Sequence, residues 1–405
     1  MSAGPGGWSP LLAGESAGRA LAAVEAIARD LAALPGAPGP GLIRGEVDLA
    51  LFFAYVERAL GSAEAGERAG DHLERAVDQL AEQATSATSL YGGFAGLAWV
   101  TEHLAAGELA EDDEDPNAEI DEALLAILRH SPWREEFDLM GGLVGWGVYA
   151  LERLPRPQAA AMLPLVVERL AERAGPGARG VVWNHPRAPG GEADLGMAHG
   201  AAGVIALLAR VVREGEPGPR TAALLDAAVE GALAREGRDG REGGEGEEDV
   251  AWCAGNAGLS AALLAAARAR GREDWEREAR RRAAAMAARY ADASQGENFD
   301  PALCHGTAGL SHLFHRLYRA TGDPGLLEAA RRWLERTLAR RRPGEGIGGY
   351  LCRARQPGGG WGWAADPGFL GGAAGIGLAL LAAATPVAPA WDRLLLLSGR
   401  GSQGT

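Results

Sequence analysis

The chain has 405 residues, of which 47% are hydrophobic and 23% charged, with a formal net charge of -14. That composition excludes general disorder, and the acidic balance excludes a sequence-independent grip on nucleic acid, which needs a basic face to neutralise phosphates. The start, MSAGPGGWSPLLAGESAGRA, lacks the charged and unbroken apolar regions of a signal peptide, and no run of eighteen apolar residues occurs; a cytoplasmic location with no membrane span is the expectation.

In chain order, one short pattern recurs. An eroded copy, IRGEVDLALFFAYVERAL, has Gly45 at the first glycine position and Asp48 at the second. Clear copies follow: YGGFAGLAWV at Gly93, MGGLVGWGVY at Gly142, MAHGAAGVIA at Gly200, CAGNAGLSAA at Gly255, CHGTAGLSHL at Gly306 and LGGAAGIGLA at Gly372. Each is G-x-x-G followed by a stretch apolar nearly all round, predicting a helix buried on several sides. The steps run from 48 to 66 residues, room for two helices but not for independent domains.

Between the glycine units lie GDHLERAVDQLAEQ, AEIDEALLAILRH, QAAAMLPLVVERLAERAG, RTAALLDAAVEGALAREG, EREARRRAAAMAARYA and GLLEAARRWLERTLARR. Their apolar residues return every three or four positions, predicting helices wet on one side. The acidic, glycine-rich stretch 234–250 reads as a surface loop. GIGGYLCRARQPGGGWGWAADPG reads as an irregular insert, whose Trp361 and Trp363 either meet a ligand or pack on the scaffold. Seven inner helices, each with an outer partner, predict an all-α fold closed into an α/α toroid, with 1–405 as a single domain. All G-x-x-G loops would then lie at one end, where glycine permits positive φ and close backbone approach, and neighbouring side chains would converge on a basin.

Three cysteines cannot all pair, and a reducing compartment disfavours disulfides. Cys253 and Cys304 stand two residues ahead of Gly255 and Gly306, at equivalent places in successive units. With His305 they make a Cys2His set, and three protein ligands with an open fourth position is the pattern of catalytic zinc. The alternative is that such thiols are small buried apolar residues and the histidine a satisfied core residue; Cys352 has no equivalent partner and reads as packing. His199 holds the place of His305 in its own unit. It reads as a fourth ligand, a proton donor and acceptor, or a loop-stabilising residue. Asp138, a few residues ahead of Gly142, reads as a carboxylate partner or a helix cap.

GMAHGAAG, WCAGNAG and CHGTAGL, in this order among seven glycine-helix units, resemble the lanthionine synthetase C-like family, the LanC-type lanthipeptide cyclases, from about Gly41 to Ala384. The resemblance implies an α/α toroid with one zinc on Cys253, Cys304 and His305, and His199 and Asp138 as catalytic residues. It implies addition of a peptide cysteine thiol to dehydroalanine or dehydrobutyrine, giving a lanthionine or methyllanthionine thioether. The implied partners are a dehydrated precursor peptide, a separate dehydratase and an exporter. Two places depart from the family pattern: Asp249 and Ala254 stand where an arginine and a tyrosine are usual. Alternatives are addition of glutathione to dehydrated proteins, a non-catalytic zinc-stabilised scaffold, or a glycosidase using Asp138 and Glu248.

Overall fold

The computed structural model describes residues 7–83, 87–105, 115–184, 194–215, 218–236, 250–292, 299–356 and 358–400. Among them are fourteen α-helices, seven following a glycine loop and seven amphipathic. The inner set is α2 (Glu46–Leu60), α4 (Phe94–Ala105), α6 (Leu143–Arg153), α8 (Ala201–Glu214), α10 (Asn256–Arg270), α12 (Thr307–Thr321) and α14 (Ala373–Ala384). The outer set is α1 (Gly14–Ala32), α3 (Ala63–Gln83), α5 (Ala118–Leu128), α7 (Pro157–Arg173), α9 (Pro219–Glu236), α11 (Glu273–Arg289) and α13 (Pro324–Ala339). Two antiparallel pairs, β1 (Gly175–Pro176) with β2 (Val181–Val182) and β3 (Cys352–Arg355) with β4 (Trp361–Ala364), and a 3-10 helix, Ala390–Leu395, complete the elements of the described residues.

The two helix classes differ as their sequences require. Every residue from Leu143 to Arg153 of α6 and from Thr307 to Leu317 of α12 is buried. Helix α13 instead buries one stripe, Leu326, Ala329, Ala330, Trp333, Leu334 and Thr337, and leaves its other face wet. Helix α1 was not among the amphipathic stretches read from the sequence, although its buried Ala20, Ala23, Val24, Ile27 and Leu31 keep the same spacing.

The chain divides into two compact units, one drawn from Met1–Thr85, Ala283–Trp391 and Ser402–Thr405, the other from Ser86–Arg282 and Asp392–Gly401. In the first, α2 packs on α3 and α14, α12 packs on α13 and α14, and α1 lies against α14. In the second, α4, α6, α8 and α10 neighbour one another in chain order, with α7 behind α6 and α9 behind α8. The 234–250 stretch is partly helical, since its first residues finish α9; 237–249 lies outside the described residues.

The glycine loops correct one expectation. Gly142, Gly200, Gly255, Gly306 and Gly372 have φ between -139° and -100°, which any residue adopts. What demands glycine is close approach alone. A Cβ on Gly309 would run into the carbonyl oxygen of Leu303, a backbone atom of the loop that launches the helix. Gly309→Ala is expected to cost about 1–3 kcal/mol by overpacking and to lower the melting temperature. Gly18→Ala, within α1 and with nothing within 4 Å, is the control and should hold or raise it.

Candidate functional site

The site residues sit on glycine loops built to one plan. Six residues before the first glycine stands Asp194, Asp300 or Asp366, whose carbonyl oxygen accepts from the amide that follows the glycine, at 2.8 Å in each case. The same aspartate's Oδ1 accepts from the amide two residues on, Gly196 at 2.6 Å, Ala302 at 2.7 Å and Gly368 at 2.9 Å. This double bond set is an Asx turn closed onto a helix start. Asp249 keeps the same count before Gly255 but, like Glu248, lies outside the described residues.

Consecutive loops are then stitched together. In the second unit the Leu139 amide donates to the Ala198 carbonyl at 3.2 Å, and the Ala198 amide donates to the Cys253 carbonyl at 3.1 Å. In the first unit the Cys304 amide donates to the Leu370 carbonyl at 2.8 Å. Leu139 stands three residues before its glycine, but Ala198, Cys253, Cys304 and Leu370 all stand two before theirs, so the place both cysteines hold is one where neighbouring loops meet within each unit.

That stitching brings Asp138 and His199 together across 61 residues of sequence. Asp138 is buried, its Oδ1 accepting from the Gly141 amide at 2.7 Å and its Oδ2 lying 2.5 Å from His199 Nδ1. Asp138 thus closes the turn at Gly141 and bonds His199, but it does not cap the helix, which starts after Gly142 with no side-chain cap. His199 keeps 45% of its side chain exposed. The bond to Asp138 raises its basicity above that of an ordinary histidine; burial opposes this, and the charges of Asp138, Asp194 and Cys253 reinforce it. With Nδ1 engaged by Asp138, proton exchange falls to Nε2.

Cys304 and His305 begin the loop into α12, both half-buried. Behind His305 sits Asp300, fully buried, with Oδ2 3.4 Å from His305 Nε2 and 2.6 Å from the Arg353 amide that donates to it. A carboxylate behind an imidazole orients the ring and strengthens it as a ligand. Sequence reading missed Asp300; the signal was the aspartate recurring six residues before Gly200, Gly255, Gly306 and Gly372.

Cys253 is half-buried in the other unit, followed by an exposed Ala254. Among the described residues no group of three or more His, Cys, Asp and Glu side chains is arranged to hold a metal as it stands. The donor chemistry fits zinc nonetheless: two half-buried cysteines that form no disulfide and an imidazole backed by a carboxylate. Cys352 is buried, and burial, then the charges of Asp300 and Asp366, push its thiol well above the usual range, so it packs rather than reacts.

Residues 38–396 match the family described as lanthionine synthetase C-like protein. A solved structure titled "Nisin cyclase" is similar over 88% of this chain and 92% of its own, with a TM-score of 0.66 and 18% identity. That likeness shows the fold, and with it the all-α, α/α toroid class that the repeats predict. No curated protein matches the sequence. Among the described residues no helix is long and apolar enough to cross a membrane.

Proposed function

We propose, from the premise that the chain belongs to the lanthionine synthetase C-like family, that it is a zinc-dependent lanthipeptide cyclase. The reaction adds a cysteine thiol of a peptide across the double bond of a dehydroalanine or dehydrobutyrine in the same peptide. Sulfur bonds to the β-carbon, the α-carbon gains a proton, and nothing is oxidised or reduced. The observation that carries this reading is the Asp138–His199 pair at 2.5 Å on a loop bonded to the Cys253 loop.

Cys253, Cys304 and His305 would hold the zinc, which when bound supplies the positive charge that keeps a substrate thiol as the nucleophilic thiolate. What supports joining Cys253 to Cys304 is register: both stand where consecutive loops are stitched within each unit. Asp300 holds the His305 ring. Asp138 fixes the tautomer of His199, whose Nε2 takes the thiol proton or returns one to the α-carbon. The substrate is a dehydrated precursor peptide supplied by a separate dehydratase, with an exporter downstream and the cytoplasm as the setting.

Zinc content tests the reading. The parent protein is expected to carry about one zinc per chain, and Cys253→Ala and Cys304→Ala are expected to lose it and cyclisation together. Absence of zinc from the purified parent protein would end the metal reading. Zinc with no turnover on dehydrated peptide or on glutathione would leave a scaffold, the reading that Ala254 in place of tyrosine favours.

A further inference from the structure

The β3–β4 hairpin carries two exposed tryptophans. Trp361 is 56% and Trp363 45% exposed, and they are the only aromatic residues among the exposed large hydrophobic side chains described. The register pairs Arg353 with Trp363 and Arg355 with Trp361, so these four side chains share one face of the ribbon. Cys352 and Ala354 occupy the opposite face and are buried. The hairpin is thus a small wall, apolar inward and arginine-tryptophan outward.

The outward face is organised. The Arg355 guanidinium lies 4.7 Å from the Trp361 ring centre, Arg353 lies 5.5 Å from the same ring, and Arg340 of α13 lies 4.7 Å from Trp363. Stacking on an indole holds a guanidinium while its in-plane N–H donors keep their capacity for carboxylate. From 340 to 364 there are five arginines against one acidic residue, Glu345, in a chain whose net charge is -14. This local reversal of sign, with two indoles set in it, complements a segment carrying carboxylates and apolar side chains. A nucleic acid, charged at every nucleotide, would meet more of the acidic chain's repulsion than a peptide whose carboxylates are confined to one stretch, which favours a peptide.

The hairpin is also tied to the candidate site. The Arg353 amide donates to Asp300 Oδ2 at 2.6 Å, and the same oxygen faces His305 Nε2 at 3.4 Å. We propose that the Arg353, Arg355, Trp361 and Trp363 face, flanked by Arg340, docks an acidic stretch of the peptide substrate outside its reacting residues, beside the Cys304–His305 loop. The substrate identity rests on the cyclase reading above. Binding a remote stretch raises the local concentration of the reacting part and supplies binding energy without touching the chemistry.

The test uses the full chain and fluorescence anisotropy of a labelled short peptide of Glu, Asp, Leu and Phe, beside its Gln and Asn analogue. The acidic peptide is expected to bind, more weakly as salt rises, and the neutral analogue to bind at least about tenfold more weakly. Trp361→Ala with Trp363→Ala, and separately Arg355→Glu, are expected to weaken the acidic peptide at least about tenfold with the melting temperature unchanged. No binding, equal binding of the analogue, variants that bind like the parent, or a single-stranded oligonucleotide bound more tightly at this face would each overturn the proposal. Because binding needs neither zinc nor turnover, the two readings fail separately. Peptide held by this face with no cyclisation of dehydrated peptide defeats the cyclase reading, whereas cyclisation with an unchanged KM in the hairpin variants defeats the docking face.

Discussion

His199→Ala is expected to lower the rate of thioether formation by about 10²–10⁴-fold, the usual worth of a positioned acid or base, while zinc content stays at the parent level. The expectation follows from which atom is engaged. His199 Nδ1 is 2.5 Å from a buried carboxylate that also accepts from the Gly141 amide, so ring and tautomer are held from behind. An imidazole held in this way is placed to move protons at Nε2. Asp138→Asn should lower the rate less than His199→Ala, since an amide can still bond the ring while losing the charge that favours its protonated form. Zinc analysis and single-turnover cyclisation on each variant provide the check. Loss of metal from His199→Ala would make the histidine a ligand and end its role as acid or base.

The repeat was legible because its cause is local. A backbone carbonyl pressed against a glycine, as Leu303 is against Gly309, leaves little room for any other residue, and the same contact repeats at Gly145, Gly203, Gly258 and Gly375. Inner and outer helices were legible too, since burial all round and burial on one stripe leave different spacings. Helix α1 escaped because it precedes the first glycine loop and so lacked the marker that organised the rest. The hairpin escaped because its pattern was obscured by glycines: Cys352 and Ala354 alternate inward with Arg353 and Arg355, but the returning strand reads Trp-Gly-Trp-Ala. At the site, Asp138 and His199 were legible as candidates by register alone. Their contact was not, because it depends on backbone bonds between loops about sixty residues apart in sequence. Asp300 was hidden for the opposite reason, since an aspartate repeated before several glycines reads as turn chemistry, and its second oxygen turns out to face His305.

The largest effect on stability is expected away from the site, at Arg153. This arginine of α6 is fully buried, and its Nη2 reaches Asp115 at 2.6 Å and Asp121 at 2.5 Å while Nη1 reaches Glu102 at 2.6 Å. Asp121, itself fully buried on α5, also accepts from the Tyr149 hydroxyl at 2.7 Å. One guanidinium thus joins α4, α5 and α6. Burial works against its charge, but the bonds to Asp115 and Asp121 outweigh burial and hold the proton more firmly than in a free arginine. Arg153→Met keeps most of the volume and strands the buried Asp121, while Arg156 still reaches Asp115 at 3.2 Å and Glu102 at 3.7 Å, so it should cost about 3–5 kcal/mol and lower the melting temperature accordingly. Arg153→Lys should recover part of that loss, because a point charge cannot span two carboxylates as a planar fork does. Adding Asp121→Asn to Arg153→Met removes one stranded charge, and the double variant should melt above Arg153→Met alone, although each change by itself destabilises. If Arg153→Met melts with the parent, these carboxylates are held by something other than the arginine, and α4, α5 and α6 are joined by their apolar contacts alone.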